Sequence, residues 1–212
     1  MKRTILLLLL VSLLKASAGT VYYLSPSGSD AHNGTSPDTP LRMPDKAIAK
    51  VVAGDTILVR GGTYTISSTL SITKSGTPEK KIHLLAWPGE SPVFDFSGTA
   101  SGKRGITLTG NHWVIRGLAI TRAGDNGMII SGGAYNLIEN CRFSENEDTG
   151  LQLGAGAHDN QIINCDSWYN ADPPDYGDAD GFAPKMDVGT NNYFYGCRAW
   201  QNCDDGWDGY LR

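Results

Sequence analysis

Short apolar stretches alternate with turns rich in asparagine, glycine and aspartate through the second half of the chain, and this alternation is periodic. Residues 136–146, 160–170 and 192–202 align without gaps, each with Asn, then Cys five positions later, then Asn five positions later again. A weaker copy places Leu118 at the cysteine position. The intervals between equivalent positions are 23, 24 and 32 residues, so the last coil contains an insertion, within residues 171–179. A period of about 20–30 residues predicts a stacked array.

Each repeat has two or more short strands and cannot bury its apolar face unless the next repeat stacks on it. The pattern therefore predicts an all-β fold, a right-handed parallel β-helix. An inward ladder would contain Leu118, Cys141, Cys165 and Cys197, and a turn ladder of side-chain amides would contain Asn146, Asn170 and Asn202. We expect these cysteines to be small buried fillers with free thiols, because stacked parallel strands seldom offer disulfide geometry; Cys203 lies outside the ladder.

Residues 44–52, followed by Ala53-Gly54, resemble a short amphipathic helix closed by a C-terminal glycine. We expect this helix to cap the first coil and protect its sheet edge. Residues 55–64 then predict the first strand and turn, and strands near residues 82–86 and 93–96 would form the next coil.

Residues 1–18 have the charged, apolar and small-residue order of a secretory signal peptide. We expect residues 19–212 to form one exported β-helix domain, extracellular or periplasmic, soluble and monomeric, with no membrane span. Removing residues 1–18 takes away three basic residues and no acidic one, which leaves 15 basic against 22 acidic residues, a formal charge of −7. This balance argues against nucleic acid as a partner.

An acidic cluster is the strongest site in the sequence: Asp180, Asp204, Asp205 and Asp208. In a stack, Asp180 and the Asp204/Asp205 pair occupy nearly the same point on consecutive coils, roughly 5 Å apart. Carboxylates this close repel one another unless a cation lies among them, and oxygen ligands favour Ca²⁺ over Mg²⁺ or zinc. The alternative is a set of solvated turn aspartates, which is how we interpret Asp125 and Asp148, the residues that the repeat aligns with Asp180 in the two earlier coils.

The stretch from Asp180 to Lys185, together with residues 197–208, resembles the Ca²⁺-site signature of polysaccharide lyase family 9, the pectate lyase L type. Residues 23–36 and 54–57 resemble the same family's N-terminal segment. The resemblance implies that the four aspartates are Ca²⁺ ligands. It also implies cleavage of polygalacturonate, the backbone of pectin, by β-elimination, in which Ca²⁺ acidifies the C5 proton and a neutral base removes it.

The family's base is a lysine on a coil beyond this signature, whereas the sequence stops at Arg212. We therefore expect a product truncated before its catalytic residue, which stays unknown, and before its C-terminal coils. Lys185 is predicted to bind a substrate carboxylate, or else to be a structural ion-pair partner of the acidic cluster. The alternative function is a non-catalytic, Ca²⁺-stabilised β-helix that binds acidic polysaccharide. A β-helical hydrolase is disfavoured because its Gly-His-Gly and Arg-Ile-Lys motifs are not found.

Overall fold

The computed structural model describes residues 19–210, which form a stack of short strands with one helix between the first strand and the second. The helix is α1 (Pro44–Lys50), and the strands are β1 (Val21–Leu24), β2 (Thr56–Val59), β3 (Gly62–Thr65), β4 (Leu70–Ile72), β5 (Ile82–Ala86), β6 (Pro92–Asp95), β7 (Ile106–Leu108), β8 (Trp113–Arg116), β9 (Ala119–Thr121), β10 (Met128–Ser131), β11 (Leu137–Glu139), β12 (Arg142–Ser144), β13 (Leu151–Gly154), β14 (Gln161–Ile163), β15 (Asp166–Trp168), β16 (Phe182–Pro184), β17 (Tyr193–Tyr195) and β18 (Arg198–Trp200). The predicted signal peptide lies outside the described residues.

The strands form three parallel sheets that wind around one axis. Sheet A has the order β1-β2-β5-β8-β11-β14-β17, sheet B has β3-β6-β9-β12-β15-β18, and sheet C has β4-β7-β10-β13-β16. A coil takes one strand from each sheet in turn, so every strand pairs with the strand one coil away. This is the predicted parallel β-helix. Within residues 19–210, no helix is long and apolar enough to cross a bilayer.

The inward ladder has the predicted members. Leu118, Cys141 and Cys165 are fully buried, and Cys197 is partly buried at the next coil. Phe143 and Phe182 pack edge to face in the same core. The cysteines carry free thiols, as expected for fillers of a narrow interior.

Two ladders of asparagine side chains bond along the axis. In the predicted one, the Asn146 Nδ2 donates to Asn170 Oδ1 at 2.8 Å, and the Asn170 Nδ2 donates to Asn202 Oδ1 at 2.8 Å. The second ladder joins Asn136, Asn160 and Asn192 through equivalent bonds of 3.0 Å. The sequence alignment placed these three residues in equivalent positions but did not predict their bonding. Each ladder adds axial hydrogen bonds to turn asparagines that are mostly buried, and buried polar groups need such partners.

The N-terminal predictions need three corrections. The helix ends at Lys50 rather than near residue 52, because Val51 turns into an extended conformation and buries its side chain. The first strand of the stack is β1, not the strand predicted at residues 55–64. It precedes the helix in the chain and pairs directly, in parallel, with β2. The strand predicted at residues 93–96 begins and ends one residue earlier, whereas that at residues 82–86 is confirmed.

Candidate functional site

Asp180 lies immediately before the turn glycine that leads into β16, and its side chain is fully buried. Its Oδ2 accepts hydrogen bonds from Thr149 Oγ1 at 3.1 Å and from Lys185 Nζ at 2.9 Å. Its Oδ1 accepts the backbone N–H of Asp205 at 3.3 Å. Three neighbours on three coil segments therefore fix the orientation of this carboxylate.

Asp204 and Asp205 arrive beside Asp180 from the next coil. A bridge between Phe182 and Trp207 sets the register, and the backbone N–H of Gly181 donates to the Asp205 carbonyl at 2.9 Å. One carboxylate oxygen from each of Asp180, Asp204 and Asp205 lies within 4.8 Å of the other two. Asp204 and Asp205 are exposed, so the group is buried on one side and open to solvent on the other.

Asp208 lies beside this group because Lys185 forms an ion pair with both Asp208 and Asp180. The Lys185 Nζ lies 2.9 Å from Asp180 Oδ2 and 3.1 Å from Asp208 Oδ2, and only 8% of the lysine is exposed. Three of the four predicted ligands thus converge directly, and the fourth is held beside them by a shared cation. These contacts favour the ion-pair interpretation of Lys185, while its role in substrate binding stays a prediction.

The charges in this group perturb one another. Burial raises the pKa of Asp180, and the bonds from Lys185 only partly oppose that change. Burial acts against the charge on Lys185, but the hydrogen bonds to Asp180 and Asp208 outweigh it and raise the lysine pKa. Desolvation and the neighbouring charge of Asp205 raise the pKa of Asp204. A lysine with a raised pKa is protonated at neutral pH and is a poor general base.

The register corrects the predicted alignment of the earlier coils. Leu151 pairs with Phe182, so the residue equivalent to Asp180 is Thr149, not Asp148. Met128 pairs with Leu151, which makes Asn126 the equivalent residue one coil further back. Aligning the coils by the aspartate before each turn glycine therefore shifted the earlier aspartates by one position, because Asp125 and Asp148 stand two residues before their glycine whereas Asp180 stands one residue before. Asp125 and Asp148 lie in a column next to the one that contains Asp180.

The insertion at residues 171–179 folds back onto the site, which the sequence pattern did not indicate. The Asp172 carboxylate accepts the backbone N–H groups of Gly177, Asp178 and Ala179, at 3.1–3.2 Å. The Cys203 thiol donates to the same carboxylate at 3.2 Å. Burial, with contributions from Asp172 and Asp204, raises the pKa of Cys203, which keeps this thiol protonated and unreactive.

A polar strip continues from the cluster along sheet C, with Asn126 and Gln152 buried in it, and the repeat did not predict it. The Arg104 Nε donates to Asn126 Oδ1 at 3.3 Å, and the Asn126 Nδ2 donates to Gln152 Oε1 at 3.1 Å. Lys103 and Arg104 line a cleft of about 300 Å³ at the far end of the strip. The strip becomes visible only when the coils are stacked in register.

The donor set fits a hard divalent cation. Four carboxylates and one ammonium group leave a formal charge of −3, and Asp204 and Asp205 make no ion pair within residues 19–210. Their oxygens are open to solvent, and converging carboxylate oxygens are the ligands that Ca²⁺ prefers. The described part of the chain places no histidine or cysteine ligand in this group, so zinc does not fit it.

The family model for the Pel9A-like, right-handed β-helix region matches residues 22–212. The chain belongs to the Pel9A-like β-helix family. This membership confirms the resemblance to the pectate lyase L type and the right-handed winding of the coils.

The relatives of this chain include two proteins named pectate lyase L. The chain is 43% identical over 203 residues to the one from Thermoclostridium stercorarium, covering 90% of this chain and 16% of that protein. It is 39% identical over 203 residues to the one from Dickeya chrysanthemi, covering 91% of this chain and 47% of that protein. The chain therefore spans about half or less of the length of these curated relatives.

Two solved structures share the Pel9A-like architecture. The crystal structure of pectate lyase Pel9A superposes with a TM-score of 0.83 at 36% identity, over 91% of this chain and 50% of that chain. A rhamnogalacturonan lyase superposes with a TM-score of 0.79 at 29% identity, over 91% of this chain and 54% of that chain.

Proposed function

We propose that this chain carries the Ca²⁺-binding part of a pectate lyase, which cleaves polygalacturonate by β-elimination. The convergence of Asp180, Asp204 and Asp205 within 4.8 Å is the observation that carries this proposal. The relatives named pectate lyase supply the reaction class. As a secreted protein, the chain would meet pectin outside the cell.

In this proposal, Asp180, Asp204, Asp205 and Asp208 hold Ca²⁺. We keep Asp208 in the set because Lys185 holds its carboxylate beside that of Asp180. Bound Ca²⁺ would draw electron density from a uronate carboxylate and acidify the proton on the adjacent carbon. Thr149 and Lys185 fix Asp180, so the buried side of the site is oriented before substrate arrives.

The polar strip supplies a path for the polysaccharide. Arg104 and Asp180 occupy equivalent register positions three coil steps apart, about 14 Å along the axis. A linear uronate chain laid along sheet C would meet carboxylate-binding groups at both ends of this path: the cation site at one end and Lys103 with Arg104 at the other. Asn126 and Gln152 are buried beneath this path, where Asn126 would hold the Arg104 side chain in place and Gln152 would hold Asn126.

The test is to incubate the protein with polygalacturonate and Ca²⁺ and follow the absorbance of an unsaturated product. Because no counterpart of the family's base is identified in the sequence, the proposal expects only slow formation of product, which a chelator abolishes and which the double substitution Asp204→Asn with Asp205→Asn removes. New reducing ends without unsaturation would contradict it in favour of hydrolysis. No product, with Ca²⁺-dependent retention on polygalacturonate, would favour the non-catalytic acidic polysaccharide binder instead.

The likeness to a rhamnogalacturonan lyase gives a reason to test a second substrate. Rhamnogalacturonan alternates a neutral sugar with a uronate, so it offers half as many carboxylates to the strip. If binding along sheet C uses successive carboxylates, polygalacturonate should be cleaved faster. A higher rate on rhamnogalacturonan would reassign the substrate while keeping the reaction class.

A further inference from the structure

A second groove lies in the turns that lead from sheet C to sheet A. It follows the C-terminal ends of β10 and β13, whereas the acidic cluster precedes the N-terminal end of β16. The groove has a volume of about 640 Å³. The residues that matter for its chemistry are Lys81, His112, Tyr135, Leu137, Asp159 and Gln161.

The groove runs along the axis because its wall is a column of equivalent positions. The pairing of Ile82 with Trp113 places Lys81 level with His112, and the pairings of Leu137 extend the column to Tyr135 and Asp159. His112, Tyr135 and Asp159 all have left-handed backbone conformations, with φ of 58°, 59° and 53°. The column spans three coil steps, about 14 Å.

The wall is formed by stacked rings. His112 and Tyr135 stack with centroids 5.0 Å apart and planes 7° apart, and His158 meets Tyr135 edge to face at 5.4 Å. The His158 Nδ1 lies 2.7 Å from Asp159 Oδ2, which fixes the end of the stack. These contacts hold a partly exposed aromatic surface in one orientation without a bound ligand.

Two polar groups in the groove have unused bonding capacity. Among residues 19–210, the Lys81 ammonium makes no hydrogen bond or ion pair, and the exposed Gln161 amide has no side-chain partner. Leu137 is partly exposed between them. An aromatic and aliphatic surface with a few open polar groups, in a volume of about 300–1,000 Å³, is the usual composition of a ligand site.

We propose that this groove is a second binding site for an acidic oligosaccharide, separate from the acidic cluster. A sugar ring would pack its C–H face against Leu137 and the ring stack, its carboxylate would pair with Lys81, and its hydroxyl groups would bond to Gln161. The choice of a uronate ligand rests on the proposed function together with the charge of Lys81. The site itself rests on the geometry of the groove and needs no metal.

Because the groove needs no metal ion, a chelator separates the two sites. Calorimetric titration of a galacturonate hexamer into the wild-type protein with EDTA should show binding that the double substitution Asp204→Asn with Asp205→Asn does not weaken. Lys81→Glu should weaken this binding about tenfold or more. Lys80→Glu makes the same charge change on the neighbouring exposed lysine outside the groove, and should leave the affinity within about threefold.

Three results would overturn the inference: no hexamer binding in EDTA, equal effects of Lys81→Glu and Lys80→Glu, or equal affinity for the methyl-esterified hexamer. Melting temperatures of the two lysine variants should match, so a folding defect is detected separately. Binding in EDTA without lyase activity would leave this inference standing while the proposed function fails. Lyase activity without binding in EDTA would support the proposed function and contradict this inference.

Discussion

Asp95 and Asp180 are both buried, and each is bonded to one basic side chain, yet their pKa values move in opposite directions. Burial acts against the charge on Asp95, but the bonds from Arg122 and from the Ser97 N–H outweigh it and lower its pKa. At Asp180, burial is the larger effect and the pKa rises.

The difference lies in how each cation is shared. Arg122 directs two N–H groups at the Asp95 carboxylate alone, the arrangement in which guanidinium binds a carboxylate best. Lys185 divides its charge between Asp180 and Asp208, with Asp204 and Asp205 close by. The charge of Asp95 is balanced by Arg122. The group around Asp180 keeps a net negative charge, which favours binding of a further cation.

The largest expected effect comes from removing the shared cation. Lys185→Met should lower the free energy of unfolding in chelator by about 3–5 kcal/mol, because it leaves a buried carboxylate without its partner. Urea denaturation at pH 7 measures this loss. As a control, Arg116→Met removes an exposed partner of Glu139 and should cost less than about 1 kcal/mol. Equal losses in the two variants would mean that the Asp180 pair is no more important than a surface pair.

Adding Ca²⁺ should stabilise the acidic cluster and leave the Asp95 pair unaffected. At a hundredfold excess over its dissociation constant, Ca²⁺ should raise the free energy of unfolding by about 2.7 kcal/mol. The double substitution Asp204→Asn with Asp205→Asn should abolish this gain, while Asp125→Asn in the neighbouring column should retain it. A gain that survives the double substitution would place the ion elsewhere.

Removing the unshared cation should cost less. Arg122→Met should lower the free energy of unfolding by only about 1 kcal/mol, because half of the Arg122 side chain is exposed and water can replace it at Asp95. The measurement is the same urea titration, without and with Ca²⁺. If Arg122→Met lowers the free energy of unfolding as much as Lys185→Met does, the proposed difference between Asp95 and Asp180 is wrong.

The smallest effect is a change in the pH dependence of stability. The pKa of Asp95 is lower in the folded protein, so its contribution is fully present above the ordinary aspartate pKa of about 4 and is lost as pH falls through the folded-state value. Asp95→Asn should therefore differ most from the wild type near neutral pH, and the difference should shrink in acid. Urea midpoints from pH 7 to pH 2 test this, and a constant difference would contradict the assignment.

The repeat could be predicted from the sequence because its members face inward or lie in ladders. Cys141 and Cys165 recur at a spacing set by the length of a coil, and an interior position tolerates only apolar groups that fit the space. The same spacing predicted that the Asp204/Asp205 pair would lie beside Asp180. Turn and core positions are thus readable from a linear pattern.

Contacts between side chains of different coils were harder to predict from the sequence. The recurrence of Asp before a turn Gly suggested that Asp148 was equivalent to Asp180. The strand pairing shows instead that Thr149 is the equivalent residue, one position further along the chain. The bonds of Asp172 depend on how the insertion folds back, which no repeat specifies. Arg104 and Gln152 belong to different coils and share no local motif.

The two asparagine ladders have a consequence for the order in which the chain assembles. The backbone N–H of Asn146 has its partner only after the Asn170 side chain is in place, and the backbone N–H of Asn170 in turn depends on Asn202. A coil that forms early therefore keeps unsatisfied buried amides at its growing end until its neighbour docks, which links the stability of each coil to the next. Growth of the stack should resemble a zipper, in which the last coil added is always the least protected from hydrogen exchange.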